Sequence, residues 1–592
     1  TREAVDAVMA VVERYEGPDF RLYVAGMPMV TETLKAALQS DMKKFMALAL
    51  ATVGLCLFFL FQRVVGVVLP LIVVILTLIS TLGLMGHFGV AVKVPTVILP
   101  SFLLAVSVGA SVHVLAIFFQ ELQDGRDKID AIVQALGHSG LAIALTSLTT
   151  AAGLGSFATA EVAPIGDLGL FAALGALLSL AYTIVLLPTL LALFPVRHAS
   201  RAHVHTAFFD RVLLRIADFS VGHAKAIVAI FLTALVLSLA SAAQLRFSHN
   251  VLDWLPKDTP IRLATQKIDQ ELRGSVIVEM VIDTGRENGL YDPDILTRLD
   301  ALAADISAYE SEELFVGKVF SVVDILKEIN KALNENQAEF YAIPENAALI
   351  PQEFLLFENS GSDDLETLID RRFQTARLSI RVPWRDALVY GPFLDDISGR
   401  FDDAFGPEVT VQATGMLSIL SRTLTAAINS MARSYFIAFV AIAGMMMALV
   451  GSVKYGALAM VPNLTPIIIV MGGMLWLNIP LNLFTMLVGS IAIGLAVDDT
   501  VHFMHNFRRY HDQTGDVREA VRKTLHTTGR AMLMTSIVLG VGFYIFVFAS
   551  LNNIIQFGIV TGTAIILALV ANFLMLPALL TLTLPKSKEV LP

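Results

Sequence analysis

The sequence predicts a polytopic α-helical membrane protein with two pseudo-repeats and one α+β outer domain of split βαβ, porter-like type. Three observations predict it. The 592-residue chain is 55% hydrophobic and only 16% charged, whereas a soluble chain is about 25% charged. Apolar runs of bilayer length, about 20 residues, recur about eleven times along it. Residues 26–190 also match residues 415–579 at one constant offset. A membrane unit duplicated in this way is a common transporter plan, with the working site between the halves.

The spans read, in order, as 43–62, 65–87, 95–119, 139–159 and 168–194 in the first repeat. A sixth, 224–243, opens the second repeat, followed by 432–451, 456–477, 480–505, 531–550 and 555–583. The repeat is carried by identities. Gly26-Met27 matches Gly415-Met416, His113 matches His502, Thr146-Ser147 matches Thr535-Ser536, and Leu187-Pro188 matches Leu576-Pro577. Small slips near 65–108 call for local gaps.

This reading divides the chain into seven segments. Residues 1–30 are the tail of a first outer domain, 31–195 the first-repeat helices, 196–223 a basic cytoplasmic linker, and 224–243 the first helix of the second repeat. Residues 244–430 form the second outer domain, 431–585 the second-repeat helices and 586–592 a cytoplasmic tail. Comparing the halves predicts a leading helix and most of a first outer domain upstream of residue 1, about twelve helices in all. The alternative is a chain that begins here.

Loop charge sets the orientation. Arg197, Arg201, Arg211, Arg215 and Lys225 crowd one loop, and Arg508, Arg509, Arg518, Arg522, Lys523 and Arg530 another. Short positive loops stay on the cytoplasmic side. Parity then places the acid-rich 244–430 stretch on the outer side of a bacterial inner membrane. In that stretch "GSVIVEMVIDTG" and "TARLSIRVP" alternate as strands, and "ILTRLDALAADISAYE" has helical spacing. "VGKVFSVVDILKEINKALN" reads as a strand, a serine near a helix start and an amphipathic helix. The single cysteine, Cys56, forms no intrachain disulfide, so the outer domain must fold without one.

The candidate site is "IGLAVDDTVHFMHNF", residues 493–507. An acidic side chain at the bilayer centre costs roughly 2.5–3.5 kcal/mol on insertion scales, so Asp498 and Asp499 point to function. Neighbouring carboxyls in such a setting titrate as a coupled pair and exchange protons between the repeats. His502 shares a helix face with both and is placed as a proton relay. His505 lies a turn further on, and His113 is the repeat partner of His502; either histidine also reads as an interfacial helix-end residue. Thr535 and Ser536 on the next span are expected to hydrogen-bond the aspartates. Thr146-Ser147, at the equivalent place, has no acids on its own repeat to serve, so packing explains these hydroxyls equally well. Asp498, His502 and His505 are metal-ligand types, but without a further clustered ligand no metal site is expected. Gly558-xxx-Gly562 and Gly169-xxx-Ala173 read as close helix contacts. No glycine-rich phosphate loop with lysine appears, so ATP is not the energy source and no cofactor is expected.

"GLAVDDTVHFMHNFRRY", "FSHNVLDWLPKDTPIRLATQKID", "SVVDILKEIN" and "ATGMLSILSRTLTAAI" together resemble the resistance-nodulation-division (RND) superfamily. The resemblance is to its MMPL-like and hydrophobe/amphiphile exporter branch, hopanoid transporters included, with Patched-like proteins as relatives. It covers essentially the whole chain and implies proton-coupled transport of a hydrophobic lipid: a hopanoid, a sterol-like molecule or a fatty-acid derivative. It leaves room for a periplasmic lipid-binding partner and a homo-oligomer, with no role for nucleic acid. A lipid or sterol sensor of the same fold, without turnover, is the alternative. One departure stands out: many relatives carry an acid on the corresponding first-repeat helix, where this chain has Gly109 and Ala110.

Overall fold

The computed structural model describes residues 2–196, 206–359, 361 and 365–584. Arg197, Arg201 and the 586–592 tail lie outside them. The chain forms two compact units, one from residues 1–36 and 248–426, the other from 37–247 and 427–592.

The described residues hold eleven helices long and apolar enough to cross a membrane. In the first repeat they are α1 (Met27–Phe61), α2 (Val64–His87), α3 (Leu99–Gln123), α4 (Lys128–Gly155) and α5 (Ala163–Ala181). Then come α6 (Ala224–Ala242), α7 (Met416–Val450), α8 (Val453–Trp476), α9 (Leu483–Thr514), α10 (Gly529–Tyr544) and α11 (Asn552–Val570). Several outrun their apolar cores: α1 and α7 begin well before theirs and α9 continues to Thr514, because amphipathic turns extend a helix that hydropathy alone truncates.

The two repeats agree in detail. α1 and α7, α2 and α8, and α5 and α11 begin and end at equivalent residues. The slips expected near 65–108 are therefore absent from the helix boundaries of α2 and α8. Irregularities repeat too. Three-residue-per-turn segments close α4 and α10 at Ser156–Thr159 and Ile545–Phe548, and wide π-turns follow α5 and α11 at Tyr182–Leu186 and Ala571–Met575. Gly26 and Gly415, with φ of +128° and +90°, take the left-handed turn before α1 and α7, a conformation glycine adopts without strain.

Within the membrane unit α9 and its repeat equivalent α3 form the centre. The most apolar windows of α9 and of the α3 span are 89% and 78% buried inside the protein, against 17% for α6. Close approach is set by small residues. A Cβ on Gly558 would stand 2.5 Å from Phe546 Cβ, and one on Gly169 2.5 Å from the equivalent Phe157 Cβ. Between repeats, a Cβ on Gly153 of α4 would lie 3.5 Å from Gly494 Cα of α9, and Thr150 Oγ1 donates to Gly494 O at 3.1 Å.

The other unit is a four-stranded antiparallel sheet: β1 (Val276–Asp283), β2 (Lys318–Phe320), β3 (Thr375–Val382) and β4 (Thr410–Thr414). Its order is β2-β3-β1-β4, the split βαβ arrangement. Alternation buries Val278, Met280 and Ile282 of β1 and Leu378, Ile380 and Val382 of β3 against helices Pro293–Ser307 and Tyr390–Phe405. Ser321 caps Val322–Leu333 in a reciprocal box, accepting from Val323 N at 3.2 Å while its own N–H donates to Asp324 Oδ2 at 2.8 Å. "FSHNVLDW" is a folding element of this unit. Asn250 Oδ1 accepts from Leu252 N and Trp384 Nε1 at 3.1 Å each, and His249 lies edge-on to Trp254 with ring centroids 4.8 Å apart. Burial pushes the His249 imidazole down to about 4, against the opposing pull of Asp386.

Two outcomes follow. Gly558→Ala lowers the thermal unfolding temperature of the purified protein, with a cost of about 1–3 kcal/mol from overpacking. Gly83→Ala, with open space around its Cβ, leaves the temperature unchanged or raises it. For His249, the folded form binds its proton less readily than the unfolded form. Its stability contribution is present above pH ~6.5 and is lost as pH falls from 6.5 towards 4. Thermal unfolding of this unit, followed by tryptophan fluorescence against pH, shows that loss in the wild type and a flatter profile in His249→Phe.

Candidate functional site

Asp498 and Asp499 lie midway along α9, which runs unbroken from Leu483 to Thr514. Asn482 caps its start, accepting from Phe484 N and Thr485 N at 2.9 and 3.0 Å. Without a helix break, the aspartates have no free backbone N–H groups to satisfy them, so side chains from other helices must do so.

Asp499, 5% exposed, accepts a hydrogen bond from Ser536 Oγ of α10 at 2.6 Å. Asp498 turns to the other repeat. Thr146 of α4 stands beside it, with its hydroxyl donating to Ile143 O of its own helix at 3.1 Å. A Cβ on Gly109 of α3 would stand 3.9 Å from Asp498 Oδ2. Gly109 is the repeat equivalent of Asp498, so the missing side chain of one half opens room for the carboxylate of the other.

The histidines meet face to face. His113 of α3 and His502 of α9 stack with ring centroids 3.8 Å apart and planes 10° apart. Both are 3% exposed. His502 Nε2 lies 3.6 Å from Asp498 Oδ1. Equivalent residues that touch place the axis relating the two repeats between these rings.

Several expectations change. Thr535 does not reach the aspartates: its hydroxyl donates to Ala531 O and Met532 O, both at 3.0 Å, because consecutive residues point about 100° apart around a helix. Ser536 alone of that pair serves. Thr146, expected to lack an acid to serve, faces the second repeat's Asp498 across the interface. His505 stands outside the cluster, half-buried beside Arg509 and His138. The expectation of no metal site rested on the lack of a further ligand. His113 supplies one: the ligand atoms of His113, Asp498 and His502 lie within 4.8 Å of one another.

Other polar residues escaped the sequence reading. Thr500 Oγ1 bridges Asn463 Oδ1 of α8 at 2.6 Å and Asn572 Oδ1 at 2.7 Å. All three are fully buried, and Asn572 sits in the second repeat's π-turn. Asparagines inside apolar runs, in "MVPNLTP" and "VANFLMLP", were the available signal. Asn506 Nδ2 donates to His502 O at 3.0 Å. A cavity of about 430 Å³ reaches His113 and His502 past Asn506, His138 and Gln120, and its far end is lined by Tyr510, His526 and Arg530. The buried pair is thus connected to the helix ends that carry the basic 508–530 segment.

The pattern of the MMPL family matches residues 1–221 and 395–588. A putative membrane protein of Methanocaldococcus jannaschii is 23% identical over 391 residues, covering 64% of this chain and 95% of its own length. The heme uptake protein MmpL11 of Mycobacterium tuberculosis is 24% identical over 600 residues, covering 95% of this chain and 56% of its own length. The mycolic acid-containing lipids exporter MmpL11 of Mycolicibacterium smegmatis is 27% identical over 185 residues, 31% of this chain and 19% of its own length. This chain spans about half the length of the Mycobacterium tuberculosis relative it matches. With eleven spans, a duplicated membrane unit and a split βαβ domain, the chain belongs to the MMPL family.

Proposed function

We propose that this protein is a proton-driven RND-type transporter of a hydrophobic lipid, with Asp498 and Asp499 as the proton-carrying groups. One observation carries the reading: a carboxyl pair held on one repeat at the centre of the bundle, with Asp498 set against the other repeat's Gly109, Thr146 and His113. A proton that arrives or leaves there changes charge at the surface where the repeats meet. Charge in a low-dielectric site is costly unless matched, so the two states favour different packings of the halves. The cavity beneath His502 supplies a wet route from the side with the basic loops, which charge bias assigns to the cytoplasm. The split βαβ unit then stands on the outer side of the membrane, where it receives lipid.

The names of two relatives support a large apolar cargo, since one exports mycolic acid-containing lipids and another takes up heme. Among apolar cargoes a hopanoid, sterol-like or fatty-acid-derived lipid fits the branch the chain resembles.

Proteoliposomes with an imposed proton gradient test the reading. Asp498→Asn and Asp499→Asn reduce gradient-driven lipid movement to the gradient-free level, and Ser536→Ala, which strips Asp499 of its hydroxyl donor, slows it. Wild-type rates in the double aspartate variant would sink the coupling role. Saturable lipid binding indifferent to the gradient, with no net movement, would favour a sensor of the same fold.

A further inference from the structure

The stacked histidines leave an unanswered polar demand. His113 Nε2 and His502 Nε2 are buried and have no hydrogen-bond partner. An unsatisfied buried polar group costs about 1–3 kcal/mol, and two at one point call for an occupant. They are not isolated: Asp498 Oδ1 stands 3.6 Å from His502 Nε2, and the ligand atoms of the three side chains fall within 4.8 Å of one another. The cavity of about 430 Å³ ends on both rings, which gives an ion and its water a way in.

We propose that His113, His502 and Asp498 form a binding site for a first-row divalent transition metal ion, with Zn2+ the best match, that ties α3 of one repeat to α9 of the other. Two imidazoles and a carboxylate are the donor set of three-ligand zinc sites, whose fourth position is taken by water. Here that position faces the cavity. Tetrahedral ligands at about 2.1 Å from the metal stand about 3.4 Å apart, so the widest pair must close by about 1.4 Å. Rotation of the stacked rings about their side-chain bonds supplies that movement. Ca2+ and Mg2+ are disfavoured, because they take oxygen ligands almost exclusively.

Binding stands on this geometry alone. Its consequence rests on the proposed function: a metal shared by α3 and α9 fixes the two repeats together and arrests transport.

Co2+ alone, then Zn2+, is titrated into the full-length purified chain in detergent. One Co2+ per chain is expected, with the visible bands of a tetrahedral ion, displaced by Zn2+. His113→Ala and His502→Ala each weaken the affinity by more than about tenfold, whereas His138→Ala on the same cavity does not. X-ray absorption of the wild-type Zn2+ complex keeps the test decisive if a variant fails to fold, because the proposal requires two imidazole ligands. Asp499→Asn retains the metal whatever it does to transport, which separates this proposal from the proton reading. Absence of stoichiometric binding in the wild type, undiminished binding in either histidine variant, or a metal shell without imidazole would overturn it.

Discussion

Everything in the membrane unit answers to one constraint: two carboxyl groups stand side by side on an unbroken helix at the centre of the bundle, where no free backbone group can satisfy them. The protein responds by enclosure. Among the described residues α9 is the most buried span, packed against α4, α8, α10 and α11 and met by α3 at Gly109 and His113. The two acids face opposite sides: Asp499 accepts from Ser536 of its own repeat, and Asp498 stands against Gly109 and Thr146 of the other. Enclosure demands close helix approach, and Gly169 and Gly558 permit it where any side chain would intrude. Helices that carry no such burden, α6 above all, remain at the rim.

The duplication makes the asymmetry legible. Three helix pairs (α1/α7, α2/α8 and α5/α11) and the π-turns recur with the same bounds in both halves, so that shared frame cannot account for the difference between them. At the centre the halves diverge in charge. Gly109 and Ala110 stand opposite Asp498 and Asp499, whereas His113 and His502 are kept and stacked. One half supplies charge and the other supplies space and hydroxyl. A second acid pair on α3 would place four carboxyls around one axis, which like-charge repulsion strongly disfavours.

Much of this was readable in the sequence. Hydropathy located all eleven spans, because an apolar run of bilayer length has few other uses. The repeat was visible because identities kept one offset, and the serine ahead of an amphipathic run marked a helix start, although its reciprocal bond with Asp324 was not read. Contacts across the repeat axis were less legible. A match between His113 and His502 establishes equivalence and says nothing of touching. Which of Thr535 and Ser536 faces the acid depends on helix rotation, fixed only by packing. The Asn463–Thr500–Asn572 bridge joins three distant segments; each polar residue was visible, but their meeting was not.

The account's central claim is that protons pass through the Asp498–Asp499 pair as lipid moves. The most direct measurement is lipid-dependent proton flux into proteoliposomes, read with an internal pH-sensitive dye. Flux that rises with lipid in the wild type and vanishes in both Asp498→Asn and Asp499→Asn is the predicted result. Lipid-dependent flux that persists in either variant would contradict it.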